Sequence, residues 1–208
     1  MAQAILEEPK QAKKTRRMTW EEFLCMDAEG HHHLEWVNGE VIKPMPVQDR
    51  HESISGFLHV LLTLHVTKFD LGRVFSEFMM RLASRPAGRV PDVSFLRKEN
   101  RGRIKNSFVE GPMDLAVEVI SPDSEERDRV DKFGEYERDN VREYWLFDHF
   151  KREAFFYQLD VQGNYQRVLP DEAGRYDSVV LPGFWLNVNW LWQESKPLME
   201  AMAQLQLP

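Results

Sequence analysis

The sequence predicts a mixed α/β fold, strand-rich with a few helices, and three observations carry that expectation. Short runs of β-branched and aromatic residues recur between Gly, Pro and Asn. One long stretch places its apolar residues at helical spacing, and the most apolar run leads directly into a charged segment of helical character. At 208 residues with 42% hydrophobic content, the chain can bury one sizeable core, so a single domain is expected over residues 18–208. Residues 1–17 contain "KQAKKTRR" without an apolar period and read as a flexible basic tail.

Taken in order, "MTWEEFLCM" opens a short helix, with Thr19 and Glu22 spaced as a capping box. In "HHHLEWVNGEVI" the Asn38-Gly39 pair between two strand-like runs signals a hairpin. Three consecutive side chains cannot converge on one ion, so His31 to His33 read as loop. "DRHESISGFLHVLLTLHVTKF" has apolar residues at 54, 57, 58, 61, 62 and 66, an amphipathic helix with Asp49 as its cap. Strands follow in "RVFSEFMMRL", where Glu77 and Arg81 share a face as an ion pair, and in "VPDVSFL", entered through Pro91. Gly111-Pro112 then breaks the chain before the strand "LAVEVI". Ser121-Pro122 ends it, and "DSEERDRVDKFGEYERD" reads as an exposed helix with Val130 and Phe133 facing inward. "REYWLFD", "REAFFYQL", "NYQRVL" and "YDSVVL" supply further strands, and a helical tail is interrupted or begun by Pro197. The Tyr144-Trp145 pair and Trp185, Trp190 and Trp192 read as core or dimer surface rather than base-stacking platforms.

Composition narrows the function. The single Cys25 rules out an intrachain disulfide, no charged start leads into an apolar signal core, and no apolar stretch nears the roughly 20 residues of a membrane span. A soluble, cytoplasmic protein without a membrane partner is expected. The net charge of −7 argues against a polyanionic partner, but its distribution is uneven. Residues 81–105 hold eight bases against two acids, whereas residues 121–139 hold eight acids against four bases. The basic stretch is equally compatible with a solvated loop.

Glu118 poses the central problem. It sits among Leu115, Ala116, Val117, Val119 and Ile120, where an unpartnered carboxylate costs several kcal/mol. Asp92 is a second lone acid in a second short apolar strand, so two adjacent strands could aim one acid each at a common point. That is a site for a hard cation, Mg²⁺ or Mn²⁺. The structural alternative has Asp92 capping a turn after Pro91 and Glu118 bonded to a nearby Arg. Lys132 bears on the choice. If the helix returns antiparallel along the strand, Lys132 lies ~12 Å in from the helix start at ~1.5 Å per residue. Glu118 lies ~10 Å back from the strand end at ~3.3 Å per residue, so the two can meet. Asp128, Lys132 and Tyr136 fall on one helix face.

At these residues the sequence resembles a known family. "LEWVNGEVI", His51, "PDVSF", "DLAVEVISPDS" and "RDRVDKFGEYERDNVREYWLFD" are together similar, over about residues 18–190, to the Uma-two family of restriction endonuclease-like proteins, a branch of the PD-(D/E)XK nuclease superfamily. The resemblance implies a restriction-endonuclease-like fold, a mixed central sheet flanked by helices with the acids on central strands. It assigns Asp92 as the PD acid and Glu118 as the (D/E) acid. Ile120 stands where the usual Lys would be, and Lys132 matches the migrated Lys of this branch. Asn140-Val141 replaces the family's Gly-Val before the "EYW" strand, a change that Asn tolerates next best.

The implied activity is metal-dependent phosphodiester hydrolysis of DNA by an endonuclease. Asp92, Glu118 and the carbonyl of Val119 would hold Mg²⁺ or Mn²⁺, which lowers the pKa of a bound water. Lys132 would orient the attacking hydroxide or neutralise the phosphate, its alternative being a plain ion pair with Asp128. A helix-surface Lys is expected to matter little to stability. Glu40 and His51 match further family positions, Glu40 as a water-mediated metal contact and His51 as a proton shuttle or phosphate contact, each with a structural role as the alternative. A small enzyme that cuts both strands needs two sites, so a homodimer is expected. The competing reading is a catalytically silent nucleic-acid-binding or assembly module that keeps the nuclease fold.

Overall fold

The computed structural model describes residues 17–27, 34–43, 48–122 and 124–208; the basic tail expected over residues 1–17 and the His31–His33 loop fall almost entirely outside them. The first helix is α1 (Trp20–Asp27), closed by the expected box: Thr19 N–H donates to Glu22 Oε2 at 2.9 Å, and Glu22 N–H donates back to Thr19 Oγ1 at 3.2 Å. β1 (Glu35–Val37) and β2 (Glu40–Ile42) form the predicted hairpin, with Asn38 and Gly39 both at positive φ as a two-residue primed turn requires.

A six-stranded mixed sheet is the centre of the fold. Its strands are β3 (Gly72–Ser76), β6 (Val93–Arg97), β8 (Leu115–Val119), β9 (Glu143–Asp148), β10 (Glu153–Leu159) and β11 (Tyr165–Val168). They lie in the order β11-β10-β9-β8-β6-β3, and only β8 and β9 run parallel. Every residue of β8 and β9 is buried, as expected of strands covered on both faces. On one face lies α2 (Asp49–Lys68), whose Ile54, Phe57, Leu58, Leu61, Leu62 and Val66 pack with Phe95, Val117 and Phe147. The C-terminal elements β12 (Arg175–Asp177), β13 (Trp185–Asn187), α4 (Val188–Leu191) and α5 (Leu198–Gln204) complete that layer. The other face carries Ala116, Ile120 and Leu146 and meets Tyr136 and a five-stranded sheet. That second sheet joins the hairpin to β4 (Met79–Leu82), β5 (Ala87–Arg89) and β7 (Phe108–Glu110) in the order β2-β1-β5-β4-β7.

Several local expectations are corrected. "RVFSEFMMRL" is two strands in different sheets, because Glu77 turns the chain with φ 47° and alternation continues across the corner. Arg81 pairs with Glu110 at 3.6 Å, since parallel β4 and β7 set them opposite. Gln48, not Asp49, occupies the N-cap of α2, and it makes no side-chain capping bond. Of "YDSVVL" only Tyr176 and Asp177 are in a strand; Val180 turns its N–H to the buried Glu143 carboxylate, so the chain leaves the ladder. Pro197 begins the last helix. No helix among the described residues is long and apolar enough to cross a membrane.

The segment after β8 departs most from its pattern. Residues Arg127–Lys132 form a π-helical turn that runs into α3 (Phe133–Arg138). The wider turn changes the phase of the helix, so Val130, expected inside, is 64% exposed, while Asp128, Lys132 and Tyr136 are buried. Asn140 ends α3 with φ 65°, its N–H bonding Glu137 O while Val141 N–H bonds Tyr136 O. These are the two bonds of a Schellman closure, with Asn in the left-handed place usually held by Gly. Asn140→Gly is therefore expected to match or exceed wild-type stability by up to about 1 kcal/mol, and Asn140→Val to lose about 1–2 kcal/mol, measured by urea unfolding.

Candidate active site

Asp92 precedes β6, and the Val93–Val117 register continues to set it opposite Glu118. Its Oδ2 accepts the Val119 N–H at 2.6 Å and lies 3.2 Å from His51 Nε2 in the first turn of α2. Although burial opposes it, the Asp92 carboxylate, helped by Glu52 and Glu77, holds the His51 imidazole above its ordinary value. Val119 thus reaches Asp92 through its amide.

Glu118 is 3% exposed and points to the face covered by α3. Its Oε2 accepts from Lys132 Nζ at 2.7 Å and its Oε1 from the Tyr136 hydroxyl at 2.6 Å. Lys132, only 4% exposed, is held by two more acids: Asp128 Oδ1 at 3.2 Å, without an aligned hydrogen bond, and Glu35 Oε1 at 3.3 Å. Burial opposes its charge, but these carboxylates raise the ammonium well above its usual range, so it stays protonated. The expectation of a helix-surface Lys of little structural weight is overturned. Removing one partner of a buried ion pair costs about 3–5 kcal/mol.

The sequence singles out Glu40 of the hairpin, whereas the structure brings Glu35 of the same hairpin to the cluster. Glu40 is exposed on β2, whereas Glu35 is buried one strand in and bonds Arg89 Nη1 at 2.8 Å and Val90 N–H at 3.3 Å as well as meeting Lys132. Against the penalty of burial, Lys132, Arg89 and Arg127 bring its carboxyl down to about 2. Arg89 is itself buried and forks onto Glu135 at 2.7 and 3.0 Å. The available signal was the one that flagged Glu118: a lone acid in an apolar run, here Leu34, Trp36 and Val37.

The basic stretch of residues 81–105 is dispersed over internal partners. Arg85 meets Asp131 and Glu135, Arg97 meets Asp114, Lys98 bonds Asp70, and Arg101 donates to Gly72 O. Tyr144, Trp145 and Trp190 are core residues and offer no face to a base.

What the cluster can do follows from its charge. Burial, and then the charges of Asp128, Asp92 and Glu35, push the Glu118 carboxyl up to about 8 against the pull of Lys132. Burial and neighbouring acid thus work against its charge, and a further cation beside it would favour the ionised form. In charge and donor type, two neighbouring carboxylates with an excess of acid fit a hard divalent ion. Among the described residues, however, no three His, Cys, Asp or Glu side chains are gathered in metal-binding geometry.

Comparisons with known proteins give the family and the fold. The family model described as Uma2, "Putative restriction endonuclease", matches residues 20–189. A solved structure from Anabaena variabilis ATCC 29413, described as a "putative nuclease belonging to DUF820", is similar with a TM-score of 0.68 and 22% identity, covering 84% of this chain and 97% of that one. At that identity the likeness concerns the fold, which is the restriction-endonuclease-like mixed α/β architecture. No curated protein matches the sequence.

The raised Glu118 carboxyl has a consequence for stability. The unfolded chain releases this proton near 4.5 and the folded chain near 8, so the folded state binds more protons between those values. The contribution is complete below the unfolded value and is lost as pH rises through the folded one. Glu118→Gln, which cannot ionise, should gain on wild type from pH 5 to pH 8 in chelator, by roughly 5 °C in Tm. A difference independent of pH would mean that Lys132 fully compensates an ionised Glu118.

Proposed function

The chain belongs to the Uma2 family, and from that membership and the geometry of the acidic cluster we propose that it is an endonuclease hydrolysing phosphodiester bonds of DNA with Mg²⁺ or Mn²⁺. The observation that carries the reading is the 2.7 Å contact of Lys132 Nζ with Glu118 Oε2: a helix delivers the cation to the acid of the central strand, while Ile120 keeps the strand position apolar. Asp92 and Glu118 would hold the metal, which lowers the pKa of a bound water and offsets charge on the phosphate.

The remaining roles belong to the chain itself. The Val119 N–H fixes the Asp92 carboxylate, and the Tyr136 hydroxyl fixes that of Glu118, so neither acid reorients when substrate arrives. Lys132 stays protonated and so acts as an electrostatic group, not a base: it stabilises the negative charge that builds on the phosphoryl oxygens. His51, held above its ordinary value by Asp92, can donate a proton toward the leaving oxygen or bind phosphate. Glu35 and Asp128 position Lys132.

One observation favours the second reading, a silent nucleic-acid-binding or assembly module. Three carboxylates already surround Lys132, as in a purely structural ion network. Nicking of supercoiled plasmid separates the two. Wild type should nick with Mg²⁺ or Mn²⁺, and Glu118→Ala should be slower by about 100-fold or more. Lys132→Met should also be inactive when assayed below its lowered melting temperature. Equal rates for wild type and Glu118→Ala would refute the enzyme, and a wild type that binds DNA without nicking it would favour the module.

Cutting both strands of a duplex takes two copies of the site, so the proposed working unit is a homodimer. Light scattering at micromolar concentration should give twice the 24.6 kDa chain mass, and a monomer mass removes this part of the proposal.

A further inference from the structure

At the start of α2, where Arg50 directly precedes the His51 that touches Asp92, lies a cavity of about 420 Å³ lined by Asp49, Arg50, Ser53, His149, Arg152 and Lys196 among others. We propose that this cavity is a phosphate-binding subsite that grips a backbone phosphate of the nucleic acid next to the bond being cut. The inference rests on the nuclease reading for its ligand's source, though not for its chemistry.

Three features point to an anion. First, cations arrive from separate parts of the chain: Arg50 from α2, Arg152 from the turn between β9 and β10, and Lys196 from the segment before α5. Arg50 and Arg152 form no ion pair or hydrogen bond with another described residue, and Lys196 donates only to the Gln193 carbonyl, at 2.6 Å. Burial, and then the charge of Arg50, hold Lys196 below its usual range against the opposing pull of Asp49, as expected where cations are drawn close together. Asp49 and Glu194 are the acids of the lining, and they leave the three cations in excess.

Second, the cavity opens at the N-terminus of a 20-residue helix whose cap, Gln48, supplies no side-chain bond to the first-turn N–H groups. Such a terminus favours negative charge and has donors to offer it. Third, His149 is 5% exposed, yet neither ring nitrogen has a hydrogen-bond partner among the described residues. A buried ring in that condition gives up on the order of 1–3 kcal/mol. A phosphate oxygen in the cavity that His149 lines would accept from its ring N–H.

The place in the fold supplies the ligand's identity. His149 directly follows β9, which runs parallel to β8 with Leu146 beside Glu118. Arg50 directly precedes His51, which touches Asp92. A chain of phosphates with one member at the acid pair would bring a neighbour over this cavity. The excess of acid around Glu118 repels DNA, so a cationic grip alongside it is what lets a protein of net charge −7 hold a polyanion.

The test uses the full chain and two readouts. In long-range ¹H–¹⁵N spectra, inorganic phosphate titrated against chloride at matched ionic strength should shift the His149 ring resonances saturably. The shift should vanish in an Arg50→Gln, Lys196→Gln double variant. With a fluorescein-labelled duplex in Ca²⁺, the same double variant should bind about tenfold more weakly, and its log Kd against log salt slope should fall by roughly one to two. Arg175→Gln, which removes a charge paired with Asp177 far along the chain, should do neither. These variants change exposed or half-buried side chains, and Arg152→Gln serves as a third should the double variant fold poorly. Unmoved His149 resonances overturn the subsite, and so does a phosphate shift with unchanged duplex affinity and slope. Plasmid nicking reports separately: intact nicking with no phosphate shift sinks the subsite alone, whereas a shift and weakened duplex binding without any nicking uphold it and sink the nuclease.

Discussion

One buried ammonium holds this site together. Lys132 has almost no access to water and draws on carboxylates from three places in the chain: Glu118 of the central strand β8, Asp128 from the turn below it, and Glu35 from the N-terminal hairpin. Taking one such charge out of water costs several kcal/mol, and only close carboxylates offset it. The cost makes the arrangement specific: any slip of β1, β8 or the π-helical turn would strand an ion in the core. The second sheet is tied on by the same currency of charge, through Arg89 between Glu35 and Glu135.

The cluster nevertheless remains short of positive charge. Glu35 is held ionised by Lys132, Arg89 and Arg127, while burial and the charges of Asp128 and Asp92 push the Glu118 carboxyl up to about 8. Two carboxyls a few residues from one another in space are thus set at opposite ends of the carboxylate range by their neighbours. Both meet Lys132, Glu118 at 2.7 Å and Glu35 at 3.3 Å. At the start of α2 the balance reverses, with Arg50, Arg152 and Lys196 around a cavity. On the proposed reading, a polyanion would meet attraction beside repulsion here.

Much of the outline was legible in the sequence because it depends on neighbours a few residues away. The capping box of α1, the Asn38-Gly39 hairpin, the apolar face of α2 and the Asn140 turn all arise from local sterics and periodicity, and all are found. So was the meeting of Glu118 with Lys132, because strand and helix rises convert sequence separation into distance when one turn joins them. Reading failed where a non-local force outweighed the local one. Glu40 was preferred to Glu35, although both lie in one hairpin, because which of them is inside depends on β5 pairing with β1 from some fifty residues away. Val130 fits an α-helical core position but faces water, since the π turn that seats Lys132 on its three acids sets the phase.

The basic run of residues 81–105 was conspicuous in the sequence yet is spread over unrelated partners, whereas the cationic cavity is assembled from residues 50, 152 and 196, which nothing in the sequence associates. By itself, the sequence determined the elements, their caps and the two acids that could not be left alone in apolar strands, because burial and backbone sterics act on short stretches. Only the tertiary structure decided which carboxylates share Lys132, where Glu118 titrates and where positive charge gathers. Coulomb energy and desolvation depend on distances through space, and chain separation does not fix those.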